Sequence, residues 1–240
     1  VTLNFQLSDN SNPLTIDFRD GEISEVQSDS KAIEKWTYNK NFLSIPASAL
    51  KIGLNKILIR FSAPYSKTGS GFYRTVDSSD KRVYVYTDFQ PYDANMLFPS
   101  FDQPDLKSTY KLRVHAPKTW SVITSVMESK KTILKSGLRE WVFPESAPFS
   151  TYIFSLHAGP YKIWKDKAGD IPIRILARQS VAKYIKVKDW MTFTKQGFEF
   201  KLGMKVTAAE NKGKKVKLKL EPSKGGDAES LEADYVLVAI

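Results

Sequence analysis

His115 and His157 are the only imidazoles in the chain, and both stand in runs where apolar and polar residues alternate as they do along a strand. A hydrolytic zinc centre needs two histidines one helical turn apart, a glutamate as general base and a distant third ligand. No His-Glu-x-x-His occurs, so each histidine reads as a hydrogen-bonded strand residue, and the chain is expected to hold no catalytic residue and no metal ligand. The absence of cysteine from 240 residues removes disulfides, thiolate ligands and cysteine nucleophiles together. Gly69-Ser-Gly71 is followed by Phe72-Tyr-Arg74 and lacks the third glycine of a dinucleotide loop. Gly225-Gly226 reads as a turn, and no nucleophile elbow is present. Neither flavin nor nicotinamide is expected to bind.

Period-two alternation dominates the elements that must position any site: Leu14, Ile16, Phe18; Ile57, Ile59, Phe61; Tyr110, Leu112, Val114; Tyr152, Phe154, Leu156; Ile171, Ile173, Ile175. Each run offers one apolar face, as half-buried strands do. Turn signals separate them at Asp20-Gly21, Lys51 to Asn55, Ser66 to Gly71 and Asp166 to Asp170. From Asp189, read as an N-cap, Trp190, Phe193, Gly197 and Phe198 fall on one helical stripe. Three further strands are read at 198–206, 215–220 and 235–240, joined by turns at Asn211-Lys-Gly213 and Ser223 to Asp227.

With 42% hydrophobic and 12% aromatic residues, the chain has enough apolar surface for one large core, or one core with a small appendage. The formal charge of +10 is spread along the sequence. Its one concentration, Lys162 to Lys188 with Arg174, Arg178, Lys183 and Lys186, lacks aromatic stacking partners, so a solvated face is expected and no nucleic-acid partner. No run of about 18 apolar residues argues for a membrane span, and the opening Val1 to Leu7 alternates like a strand and not like a signal peptide. The chain reads as soluble, and the missing cysteines fit a cytoplasmic setting.

The segment from Thr87-Asp-Phe-Gln-Pro-Tyr-Asp93 to Phe98-Pro-Ser-Phe-Asp-Gln-Pro104 resembles the entry-domain signature of the aminopeptidase N family of zinc exopeptidases. Leu14-Thr-Ile-Asp-Phe18, Phe42-Leu-Ser-Ile-Pro46, Gly53-Leu-Asn-Lys-Ile57 and Tyr65 to Gly71 stand in that family's order, so the likeness spans roughly residues 10 to 198. It implies a β-rich N-terminal domain walling one side of a substrate channel, with zinc held elsewhere in the parent enzyme. It also implies that Gln90, facing the catalytic domain, helps hold the free amino terminus of a peptide, with Asp88 as a secondary candidate on the same face. Such a peptide contact is weak without the rest of the pocket. Asp93 and Asp102 read as acceptors for loop amides. Two prolines bracketing Ser100-Phe-Asp102 stiffen the connection and hold Phe98 and Phe101 in the core.

After Phe200 that likeness stops. Residues 195 to 240 resemble the later part of the NAD-binding domain of dihydrolipoamide dehydrogenase, and Lys195-Gln-Gly-Phe-Glu-Phe200 fits both families, which implies a chimera. Gly197 is read as the cap of the helix. Strands cut from a parallel α/β domain would leave Val236, Leu237 and Val238 uncovered.

The expected architecture is mainly β: an antiparallel sandwich or saddle over 1–188, a linking helix over 189–197 and a small three-stranded β appendage over 198–240. The expected role is a noncatalytic substrate-channel domain of an aminopeptidase N-like enzyme. Two alternatives stay open: a β-sandwich module binding carbohydrate or protein through Tyr84, Tyr86 and Tyr92, and an accidental fusion without a selected function.

Overall fold

Leu43, Ile45, Ile57 and Ile59 alternate with polar neighbours, and that spacing sends them to one face of each strand. The computed structural model describes residues 1–197, 203–234 and 236. Within them the protein is mainly β, with antiparallel sheets and one α-helix. It divides into two compact units, Val1–Trp164 with Arg174–Ile185, and Lys165–Ile173 with Lys186–Ile240.

The first unit holds two sandwiches. β1 (Thr2–Leu7), β3 (Glu22–Ser28), β4 (Lys31–Ala32) and β7 (Gly53–Ser62) form one sheet in the order β1-β7-β3-β4, and β2 (Leu14–Asp17), β5 (Thr37–Tyr38) and β6 (Phe42–Ile45) form another in the order β2-β6-β5. Ile16, Val26, Leu43, Ile45, Ile57 and Ile59 from both sheets make one core, each contributing about 1.5–3 kcal/mol of burial. The second sandwich pairs β8 (Gly71–Val76), β9 (Val83–Asp88), β11 (Ser121–Thr124) and β14 (Leu156–Gly159), in the order β11-β14-β9-β8, with β10 (Arg113–Pro117), β12 (Lys130–Ile133) and β13 (Leu138–Val142), in the order β10-β13-β12. Val85, Val122, Trp141, Phe143 and Ala158 fill its core.

Two alternating runs behave differently from the pattern. The run expected at Tyr110 enters its strand only at Arg113, because Tyr110 is bonded to Ser146 through its amide and its carbonyl instead. The run at Tyr152 is a 3-10 turn over Thr151–Ile153, and β14 starts at Leu156. Here Thr151 and Phe154 turn inward to different partners, a buried carboxylate and a phenylalanine cluster. β15 (Lys162–Ala168) and β16 (Ile171–Ala177) pair as a two-stranded ribbon.

In the second unit, α1 (Val187–Gly197) carries Asp189 inside its first turn and not as the residue that caps it. There the carboxylate faces the positive end of the helix dipole. Met191 is buried, whereas Trp190 and Phe193 of the expected stripe are 58% and 64% exposed. The buried direction thus lies about 100° round the helix from Trp190. Gly197 is the last helical residue, and the strand start expected at Phe198 lies outside the described residues.

β17 (Met204–Asn211), β18 (Val216–Pro222) and β19 (Glu229–Ala233) form an antiparallel meander in the order β17-β18-β19. They do not keep the parallel arrangement of an α/β sheet. The strand expected at 235–240 lies outside the described residues apart from Val236, which is 40% exposed. Leu218 and Leu220 are buried, while Val206 stays exposed.

Candidate functional site

β9 delivers the candidate residues. It ends at Asp88, which pairs with Gly71 across the β8 ladder. Asp88 and Gln90 are both exposed, and Phe89 between them is 2% exposed. Alternation past the strand end explains this, since a buried aromatic turns both neighbours outward. Phe89 lies 6.2 Å from Phe98 and 6.1 Å from Phe154, centroid to centroid. Gln90 is in the turn after the strand, and its peptide bond to Pro91 is cis. The two expected residues thus stand as an exposed carboxylate and an exposed amide two positions apart at this end of β9, called the rim below.

Below the rim lies a buried polar knot. Asp102, 1% exposed, accepts hydrogen bonds from the Asn95 backbone at 2.9 Å, from Asn95 Nδ2 at 2.7 Å and from the Thr151 hydroxyl. Its own amide donates to Asp17 Oδ2 at 3.1 Å. A buried carboxylate without a cation beside it needs several such donors. Asn95 Nδ2 also reaches the Tyr92 carbonyl at 3.2 Å. Partial burial and then the Asp17 carboxylate push the Tyr92 hydroxyl pKa up to about 12.

Asp102 therefore takes loop donors as expected, but Asp93 does not. Its carboxylate pairs with the Arg19 guanidinium, a stronger partner than a neutral amide. The proline-bracketed connection serves both cores. Phe98 packs with Phe89 and Phe154, and Phe101 meets Phe5 edge-on at 5.1 Å in the first sandwich. Ser100 ties its backbone to Asp17 in both directions, at 2.9 and 3.0 Å. Alternation and proline placement leave Thr87, Asn95 and Thr151 unmarked, because their roles depend on residues up to 69 positions away.

The histidines stand on different sheets. On β10, His115 Nε2 lies 3.0 Å from Glu140 Oε2, and that bond holds the Glu140 pKa below its ordinary value. On β14, His157 stacks against Tyr86 at 6.3 Å, and burial lowers its pKa from its ordinary value. No group of three or more His, Cys, Asp or Glu side chains placed to hold a metal occurs among the described residues. The donors present here do not fit a zinc ion. No helix among them is long and apolar enough to cross a membrane.

An aromatic binding platform loses its central member. Tyr84 is 1% exposed, packed 5.0 Å from Tyr161, and its hydroxyl accepts from the Gln179 amide at 3.0 Å. Tyr86 is half-buried between Tyr73 and His157, and of the three only Tyr92 is exposed.

Comparison with known proteins agrees with the signature at this rim. Aminopeptidase N of Streptomyces lividans is 29% identical over 207 residues, 83% of this chain and 23% of that protein. Aminopeptidase N of Acetobacter pasteurianus is 29% identical over 138 residues, 56% of this chain and 39% of that protein. Glutamyl aminopeptidase of Mus musculus is 35% identical over 91 residues, 36% of this chain and 10% of that protein. The chain spans well under half the length of each. Residues 1–153 match the model of the Peptidase M1 N-terminal domain, and the chain belongs to that family.

Proposed function

We propose that this chain is the noncatalytic wall of a substrate channel in an aminopeptidase N-like zinc metallopeptidase, an enzyme that removes N-terminal residues from peptides. The observation that carries the reading is the rim itself: Asp88 and Gln90 both exposed, on either side of the buried Phe89, within the family-matched residues. The Gln90 amide oxygen would accept from the ammonium of a peptide's free amino terminus, and the Asp88 carboxylate would add attraction for the same charge. Zinc belongs to the parent enzyme, where it would supply a bound water as nucleophile. This chain would shape the channel and bind peptide N-termini weakly, without turnover, in the cytoplasm, and with neither nucleic acid nor membrane as partner.

A panel of amino-acid 4-nitroanilides, with and without added zinc and alongside metal analysis, tests this. No turnover and no stoichiometric zinc are expected. Zinc-dependent release of nitroaniline from protein made in a peptidase-deficient host would overturn the reading and return His115 and His157 to consideration as ligands. The resemblance of residues 195 to 240 to dihydrolipoamide dehydrogenase supports a join near Gly197, and sequencing the source locus across the codons for residues 190 to 205 tests that. The burial of Tyr84 disfavours a carbohydrate platform.

A further inference from the structure

Asp88 and Gln90 are flanked by three fastenings of the chain. Upstream, the Thr87 hydroxyl accepts from the Leu156 amide at 2.9 Å and so ties the end of β9 to the start of β14. In the middle, Phe89 is locked among Phe98 and Phe154. Downstream, the Tyr92 carbonyl is held by Asn95 Nδ2, the same side-chain amide and the Asn95 backbone amide also donate to Asp102, and Asp102 is held in turn by Thr151. Thr151 belongs to the 3-10 turn Thr151–Ile153 that leads into β14. Both fastenings therefore reach the same stretch, residues 151 to 156, one from each end of the rim.

We infer that Thr87 and Thr151 are positioning residues for Gln90. Their hydroxyls tie the two ends of the Asp88–Gln90 rim to one segment, Thr87 directly to Leu156 and Thr151 through Asp102 and Asn95, and present the amide already oriented. This deepens, and rests on, the reading of Gln90 as a contact for a peptide's amino terminus. The physical case is preorganisation. A glutamine on a free loop loses backbone freedom when it binds, whereas one on a pinned loop has already lost it during folding. The buried network also makes the pinning stiff, because the Thr151 hydroxyl is the donor to Asp102 Oδ1 while both Asn95 donors go to Oδ2, so losing Thr151 leaves a buried carboxylate oxygen unsatisfied.

The test compares Thr87→Val and Thr151→Val, which remove the hydroxyl at similar volume, with Thr87→Ser and Thr151→Ser, which keep it. Trialanine with a free amine and N-acetyl-trialanine are titrated into the 15N-labelled chain, and the Gln90 side-chain amide signals are followed together with amide hydrogen exchange at residues 92 to 97. The wild type is expected to shift with the free-amine peptide only. Each valine variant is expected to weaken that response roughly three- to tenfold and to speed exchange, with both serine variants matching the wild type. Valine variants that bind and exchange like the wild type overturn the positioning role while leaving the peptide contact intact. A wild type that does not distinguish the two peptides overturns the contact itself and the positioning role with it. Valine and serine variants that weaken equally reduce Thr87 and Thr151 to packing residues and also overturn the inference.

Discussion

Ser180 donates a hydrogen bond of 2.7 Å to the Asp77 carboxylate from 103 positions further along the chain. Asp77 sits in the turn between β8 and β9, is buried, and also receives the Ser79 amide at 2.9 Å and the Arg178 guanidinium at 3.1 Å. Next to it the Gln179 amide reaches Tyr84, and Gln179 Nε2 reaches the Pro160 carbonyl at 3.0 Å. A segment with almost no apolar anchor of its own is thereby bound to the end of a sheet through polar groups.

This clamp gives a pH dependence of known sign. The Ser180 bond first, then the Ser79 amide and the Arg178 charge, hold the Asp77 pKa below its ordinary 3.8 against the opposing effect of burial. A depressed carboxylate stabilises the folded state fully above its unfolded pKa, and that contribution is lost as pH falls through the lower folded value. Asp77→Asn should therefore lower the melting temperature at pH 7, and the gap to the wild type should shrink below about pH 4. Thermal unfolding at pH 7 and pH 3 checks this, and an equal gap at both would contradict it.

Gly159 on β14 packs beneath the ring of Tyr84. A Cβ built there would stand 2.5 Å from Tyr84 Cδ1, closer than carbon atoms can approach, and the ring cannot withdraw without breaking its bond to Gln179. Gly159→Ala should cost about 1–3 kcal/mol by overpacking. Denaturant unfolding measures it. In Tyr84→Leu, with the ring removed, the added cost of Gly159→Ala should fall sharply, which is the coupling expected of residues in contact.

Much of the fold was legible because half-buried strands leave a period of two, and Leu14–Asp17, Phe42–Ile45 and Gly53–Ser62 show it plainly. The turn at Lys51 to Asn55 was equally readable: buried Asn55 closes it by bonding the Lys51 amide and carbonyl, as a short amide side chain does. Residues 152 to 156 misled because alternation records which side chains are apolar and not where each one points. Phe154 turns toward Phe89, and Thr151 toward a carboxylate 49 positions away. Asp88 and Gln90 were found through family likeness, whereas Thr87, Asn95 and Thr151 share no local pattern. Likewise the helix stripe was read from spacing through Trp190, Phe193, Gly197 and Phe198, yet only packing decides which side is covered, and Met191 is the buried residue.

Rim and knot should separate cleanly under mutation. Gln90 is exposed and makes no side-chain hydrogen bond among the described residues, so Gln90→Ala should shift stability by no more than about 0.5 kcal/mol. Asp102→Ala strands the Asn95 amide groups and the Thr151 hydroxyl in the interior, at about 1–3 kcal/mol for each unsatisfied group. A loss several times larger than that of Gln90→Ala is expected in urea unfolding. Equal losses would mean that the knot does not hold the loop.

Tyr110 offers the opposite case, a polar group whose removal should not harm. Its ring stacks on Phe149 at 4.5 Å, but its buried hydroxyl has no hydrogen-bond partner among the described residues. Burial, and then the nearby Asp102 charge, push its pKa up to about 12. An unpartnered buried hydroxyl carries its desolvation cost without return, so Tyr110→Phe should be neutral or stabilising by up to about 1 kcal/mol. A tyrosine whose folded pKa is raised contributes its full stability below the unfolded value near 10 and loses stability as pH rises through the folded value. The advantage of Tyr110→Phe over the wild type should therefore grow between about pH 10 and 12. Urea unfolding at pH 7, 10 and 11 follows both effects. A clear loss of stability at pH 7 would show that the hydroxyl has a partner after all.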